Sequence, residues 1–184
     1  MMTVTTLPRS RPLTWRDLEA IPDDGHRYEL IDGALVVTPV PSIPHQAVAF
    51  ALARLLQAAC PTDLKVFMAP LAVLLAQDTD LQPDVLVARR SDLTHDNLPA
   101  APMLAVEVLS PSTRLIDLNL KKARYEAAGC PSYWAIDPDP ERLELTAWEL
   151  VDGQYVQVAH VTGNGAFQAT RPFLMTVVPA DLLD

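Results

Sequence analysis

Glu107 is the residue hardest to place without chemistry. In the run MLAVEVL, residues 103–109, Met103, Ala105 and Leu109 share its face of an extended strand, while Leu104, Val106 and Val108 take the other. A strand apolar on both faces belongs in the middle of a sheet. An unpaired carboxylate there costs on the order of several kcal/mol or takes up a proton. A metal ion, a basic partner, or a place at the solvent-accessible strand end would each compensate it. Asp84 opens PDVLVA, a second run that becomes apolar on both faces, although a strand-initiating Pro-Asp also serves as plain turn chemistry. Two adjacent central strands that each present one carboxylate can direct four oxygens at a hard cation such as Mg²⁺. Asp117, Lys121 and Tyr125 follow at i, i+4 and i+8 of a helix that leaves the Glu107 strand, so an ammonium can turn back toward the strand ends. The same spacing also describes an ordinary surface ion pair.

The elements that must position these groups follow from pattern. Thr14 and Asp17 form a capping box for a first short helix, which ends before the Pro22–Gly25 turn. HRYELI and ALVVTP are strands joined by Asp32-Gly33, the dipeptide a type I′ hairpin requires. Ser42 caps a buried helix over residues 43–59, with Pro44 in its first turn. Residues 65–109 hold the strands KVFMA, LAVLLA, PDVLVA and PMLAVEVLS, separated by turn formers such as Gln77-Asp78-Thr79-Asp80. A helix over residues 113–128 stops at Gly129 before Pro131. SYWAID, RLELTAWEL and QYVQVAHV then read as antiparallel strands, the last two joined by Asp152-Gly153. The order implies an α/β fold, with a mixed central sheet flanked by helices and additional antiparallel strands.

Composition bounds the rest. A chain of 184 residues supports one domain over 1–184, with residues 1–12 expected to be flexible. Its first residues lack the apolar segment of a secretory signal, and the apolar helix candidate carries Arg54 and stops at Pro61. Cys60 and Cys130 have no histidine partners at zinc-ligand spacing and do not form a disulfide framework. The expected setting is cytoplasmic, with no membrane segment. A formal net charge of −9 argues against sequence-independent coating of nucleic acid, though carboxylates gathered for a metal are compatible with it.

YELIDG, PDV, EVLSPST and DLNLKKARYEAAGCPSYWAIDP, in that order, make residues 14–138 resemble the Uma family of restriction-endonuclease-like proteins, a branch of the PD-(D/E)XK nuclease superfamily. The resemblance implies a restriction-endonuclease-like core and metal-dependent hydrolysis of phosphodiester bonds, with DNA the expected and transient partner. It maps Asp84 onto the motif aspartate, Glu107 onto the second acid and Glu29 onto an upstream acidic position. The superfamily pattern places lysine two residues after the second acid, where this chain has Leu109. The following helix then supplies the lysine, and Lys121 fits better than Lys122. Mg²⁺ or Mn²⁺ would be held by Asp84, Glu107 and the backbone carbonyl of Val108. Lys121 would orient or deprotonate the attacking water, and Glu29 would hold a second ion or position Lys121. His45 falls in a family-like position after PSIP, where capping or packing is the commoner role. Ser110, Ser112 and Thr113 read as a helix-capping turn. A non-catalytic interaction module keeping the fold and a hydrolase of small phosphodiesters remain open alternatives. Edge strands in the C-terminal part suggest a homodimer.

Overall fold

The computed structural model describes residues 11–22 and 24–183, so residues 1–10 of the segment expected to be flexible lie outside it. A capped turn, α1 (Trp15–Glu19), precedes the hairpin of β1 (Arg27–Ile31) and β2 (Ala34–Thr38). Asp32 and Gly33 both take positive φ, 53° and 76°, as a type I′ turn requires. Gly33 is doubly constrained, because a Cβ there would run into Pro12.

The helix α2 (Ile43–Ala59) begins at Ser42, whose hydroxyl accepts the His45 amide hydrogen at 3.4 Å, and ends where Cys60 meets Pro61. It buries Val48, Ala49, Leu52, Ala53 and Leu56, which recur at helical spacing. Next come β3 (Leu64–Met68), β4 (Val73–Ala76), β5 (Thr79–Leu81), β6 (Val85–Arg89) and β7 (Leu104–Val108). Gln77-Asp78 is a turn as expected, but Thr79 and Asp80 belong to β5, a strand the turn-forming composition of QDTD conceals.

After β7 the chain makes a π-helical segment, Ile116–Lys121, that runs directly into α3 (Lys122–Ala127). The expected uniform helix is therefore wider in its first half. The Lys122 amide reaches back five residues to the Asp117 carbonyl, which also accepts the Tyr133 hydroxyl at 2.8 Å and so ties the helix to the sheet. Gly129, at φ 81°, ends α3. The strands β8 (Ser132–Asp137), β9 (Glu144–Val151) and β10 (Gln154–Thr162) follow, then the short pair β11 (Phe167–Ala169) and β12 (Met175–Val177). That pair had no signal in the alternation.

The strands form a six-stranded mixed sheet, β10-β9-β8-β7-β6-β3, a four-stranded sheet, β2-β1-β5-β4, and the β11-β12 pair. Only β7 and β8 pair in parallel in the larger sheet, because the helix crosses over between them. Its central strands are buried on both faces. One face packs Val85, Val87, Leu104, Val106 and Trp134 against α2. The other packs Leu86, Ala105 and Tyr133 against Tyr125 of α3 and against Ile31, Val73 and Leu81 of the four-stranded sheet. Among the described residues no helix is long and apolar enough to cross a membrane.

Candidate active site

The β6–β7 register brings the two motif acids together. Val85 pairs with Val106 in antiparallel order, so one step outward Asp84 lies across from Glu107. Both side chains are almost fully enclosed, at 5% and 1% exposure. Asp84 is held by three donors. The Val108 amide donates to its Oδ2 at 2.8 Å, His45 Nε2 lies 3.2 Å from the same oxygen, and Arg27 Nη1 donates to Oδ1 at 3.2 Å. Burial alone would raise its pKa, but the His45 hydrogen bond and the His45 and Arg27 charges outweigh it and hold Asp84 below the usual carboxylate value.

Lys121 is 2% exposed, which excludes the surface-pair reading. Its Nζ sits 2.9 Å from Glu29, 3.2 Å from Glu107 and 3.4 Å from Asp117. Burial would lower the lysine pKa, yet Glu107, Glu29 and Asp117 together keep it above the ordinary lysine value, so the group stays an ammonium. Glu29 reaches this point from the other sheet. Its Oε1 accepts the Gln82 amide at 2.8 Å and its Oε2 the Thr38 hydroxyl at 3.1 Å. Burial, helped by the charges of Asp117, Asp84 and Glu29 and opposed by Lys121, pushes Glu107 well above the usual range. Burial also raises Asp117, whose Oδ1 makes no hydrogen bond.

Asp84, Glu107, Lys121 and Glu29 are thus gathered in one cluster, and Val108 enters it through its amide. Lys122 points elsewhere, its ammonium 4.5 Å from the Trp148 ring centre. Arg27 escaped the sequence reading, and His45, marked only by its family-like position, had no role toward Asp84 there. Arg27 alternates with Glu29 along β1, and this i, i+2 relation could have marked it. His45 does more than begin α2, since its ring contacts Asp84 while its buried Nδ1 has no partner. Ser110 does what a capping turn should, accepting the Thr113 amide at 3.2 Å.

Four carboxylates here face two permanent cations, Arg27 and Lys121, together with the His45 imidazole. That excess of negative charge suits a divalent ion. Among the described residues no three His, Cys, Asp or Glu side chains form a ready metal cage. Mg²⁺ does not need one, because it commonly takes one or two carboxylates and fills its shell with water and substrate phosphate. Among the described residues Asp84 Oδ1 accepts one hydrogen bond, from Arg27, so a lone pair remains for such an ion. The cluster forms part of a cleft of about 820 Å³ whose rim comes from the loops after β2, β7 and β8.

No curated protein matches the chain. Among solved structures, the crystal structure of a protein from Anabaena variabilis, described as "a putative nuclease belonging to DUF820", aligns with a TM-score of 0.71 at 18% identity, covering 94% of this chain and 98% of that one. At that identity the likeness speaks for the fold, which is α/β and nuclease-like. The sequence profile described as "Uma2: Putative restriction endonuclease" matches residues 15–178, well past the expected limit at residue 138, so the C-terminal strands belong to the shared unit and the chain belongs to the Uma2 family.

Proposed function

We propose that this chain is a metal-dependent nuclease that hydrolyses phosphodiester bonds in DNA. The observation that carries the reading is the convergence of Asp84, Glu107 and Glu29 with a buried lysine in an open cleft. Asp84, Glu107 and the Val108 carbonyl would hold Mg²⁺ or Mn²⁺, which when bound lowers the pKa of water and offsets charge on a phosphorane-like transition state. Lys121, fixed as an ammonium by its three carboxylates, orients the attacking water and stabilises developing negative charge rather than acting as the base. Glu29, itself held by Thr38 and Gln82, keeps the lysine aimed. Arg27 and His45 set the orientation of Asp84.

The test is cleavage of single-stranded and duplex DNA with Mg²⁺ or Mn²⁺, comparing the wild type with Asp84→Asn and Glu107→Gln. Each substitution should abolish Mn²⁺ binding in calorimetry and lower turnover by at least about a hundredfold, since each removes a charged ligand while preserving shape. Unchanged Mn²⁺ affinity in both variants rejects the metal assignment. A wild type that cleaves no polynucleotide leaves the cluster as a structural ion network and makes the interaction-module reading the better one.

A further inference from the structure

Resting on the nuclease reading, we infer that the cleft takes an unpaired polynucleotide strand, led in over an apolar wall, rather than a duplex gripped by its phosphates.

The first support is the state of the cations. Among the described residues, every basic side chain lining the cleft already faces a carboxylate. Arg27 lies against Asp84 and Glu29, His45 against Asp84, Lys121 against Glu29, Glu107 and Asp117, and Arg114 against Asp137 and Glu144. A protein that holds a duplex through roughly 6–10 phosphates needs lysines and arginines that are free to meet them. Here none of the lining cations is free in that sense, and Asp139 adds a further negative charge at the rim.

The second support is the wall itself. Val40 is 90% exposed on the rim, and the neighbouring rim residues Pro39, Pro41, Pro111 and Pro140 are exposed as well. Exposed apolar side chains of this kind give hydrophobic contact to the open faces of unpaired bases, faces that a duplex keeps stacked. They offer nothing to a phosphate.

Depth is the third. Glu107 and Lys121 are 1% and 2% exposed, so a phosphodiester must enter the cleft to meet them. A cleft of about 820 Å³ falls within the range of roughly 300–1,000 Å³ that encloses a small ligand. That room suits one or two nucleotides with their linking phosphodiester. A duplex, whose major groove alone is about 12 Å wide, would have to open first.

The experiment compares kcat/KM of the full chain with Mn²⁺ on a DNA single strand, the duplex of the same sequence and a small phosphodiester, at about 50 and 200 mM salt. Single-stranded DNA should be cut at least tenfold more efficiently than duplex. The salt increase should cost less than about tenfold, as expected for two or fewer phosphate contacts on a single strand. Val40→Ser should raise KM for the strand severalfold with little change in kcat, because it alters the wall and not the cluster. A duplex cut as well as or better than the strand overturns this inference and leaves the nuclease reading standing. So does a loss of roughly a thousandfold with salt, the mark of a phosphate grip. Cleavage of the small ester alone, or of nothing, overturns both.

Discussion

A lysine enclosed by Glu29, Glu107 and Asp117 keeps its proton and cannot be removed without leaving three buried carboxylates to find another counter-charge. Breaking a buried ion pair from one side typically costs about 3–5 kcal/mol. Glu107, already pushed toward its neutral form, can absorb part of that by taking up a proton. Lys121→Ala is therefore expected to fold with reduced stability and to lose roughly tenfold to a hundredfold in turnover on a cleavable DNA, with Mn²⁺ affinity little changed. Lys122→Ala, which removes a cation from the Trp148 ring, should keep its activity. Equal loss in both would dismiss the assigned register. At this scale Glu107 and Asp84 were legible because a carboxylate on a strand apolar on both faces demands compensation, Lys121 from its helical spacing joined to the family resemblance, and Glu29 from the resemblance alone. His45 and Arg27 were not, since nothing in the local pattern says that the start of α2 and the start of β1 meet at Asp84.

The elements with strong periodicity or turn chemistry were legible almost to the residue: α2 spans the expected 43–59, and Asp152-Gly153 turns as Asp32-Gly33 does. Two were not. The π-helical widening at Ile116–Lys121 depends on the Tyr133 hydroxyl and the Asp117 carbonyl, a contact between segments that no helical period encodes. The strand β5 was hidden because its polar residues face the protein interior, where Thr79 and Asp80 are 2% and 6% exposed. Burial, with the charges of Glu29 and Glu19 adding, raises Asp80 to about 7. A carboxyl whose folded pKa lies above its unfolded value near 3.9 stabilises most below that value, and its contribution declines as pH rises toward 7. Asp80→Asn should accordingly be more stable than the wild type at pH 8 in thermal melts, with the difference closing below about pH 4. A difference that does not vary with pH would show that Asp80 keeps its charge when buried.

Across the whole molecule, two sheets and the crossover helix each contribute a charged group to the cluster, and negative charge predominates there as it does in the chain at −9. Folding the metal-free protein must bring those carboxylates together unaided. Mn²⁺ at about a hundred times its dissociation constant should therefore stabilise the wild type by about 2.7 kcal/mol, seen as a higher Tm, through preferential binding to the folded state. Asp84→Asn and Glu107→Gln should show no such rise; in chelator Glu107→Gln should melt higher than the wild type, because burial disfavours the charge it removes, whereas Asp84→Asn should melt lower, because it takes from Arg27 and His45 the carboxylate they hold. A Tm indifferent to Mn²⁺ in all three proteins would refute the metal site. The α/β class and the sheet-flanking helices were legible from element order, whereas the division into a six-stranded and a four-stranded sheet was not, because pairing β1 with β5 depends on contacts far apart in sequence.

Leu109, where the superfamily pattern has its lysine, is 5% exposed and packs in the same apolar cluster as Tyr125 and Tyr133. In the proposed site the ammonium comes from a helix, and the strand position that the pattern gives to lysine is part of the core. A sequence pattern that insists on lysine two places beyond the second acid will pass over this chain. A search by shape, asking for an ammonium within about 3.5 Å of two carboxylates borne on different sheets, will find it.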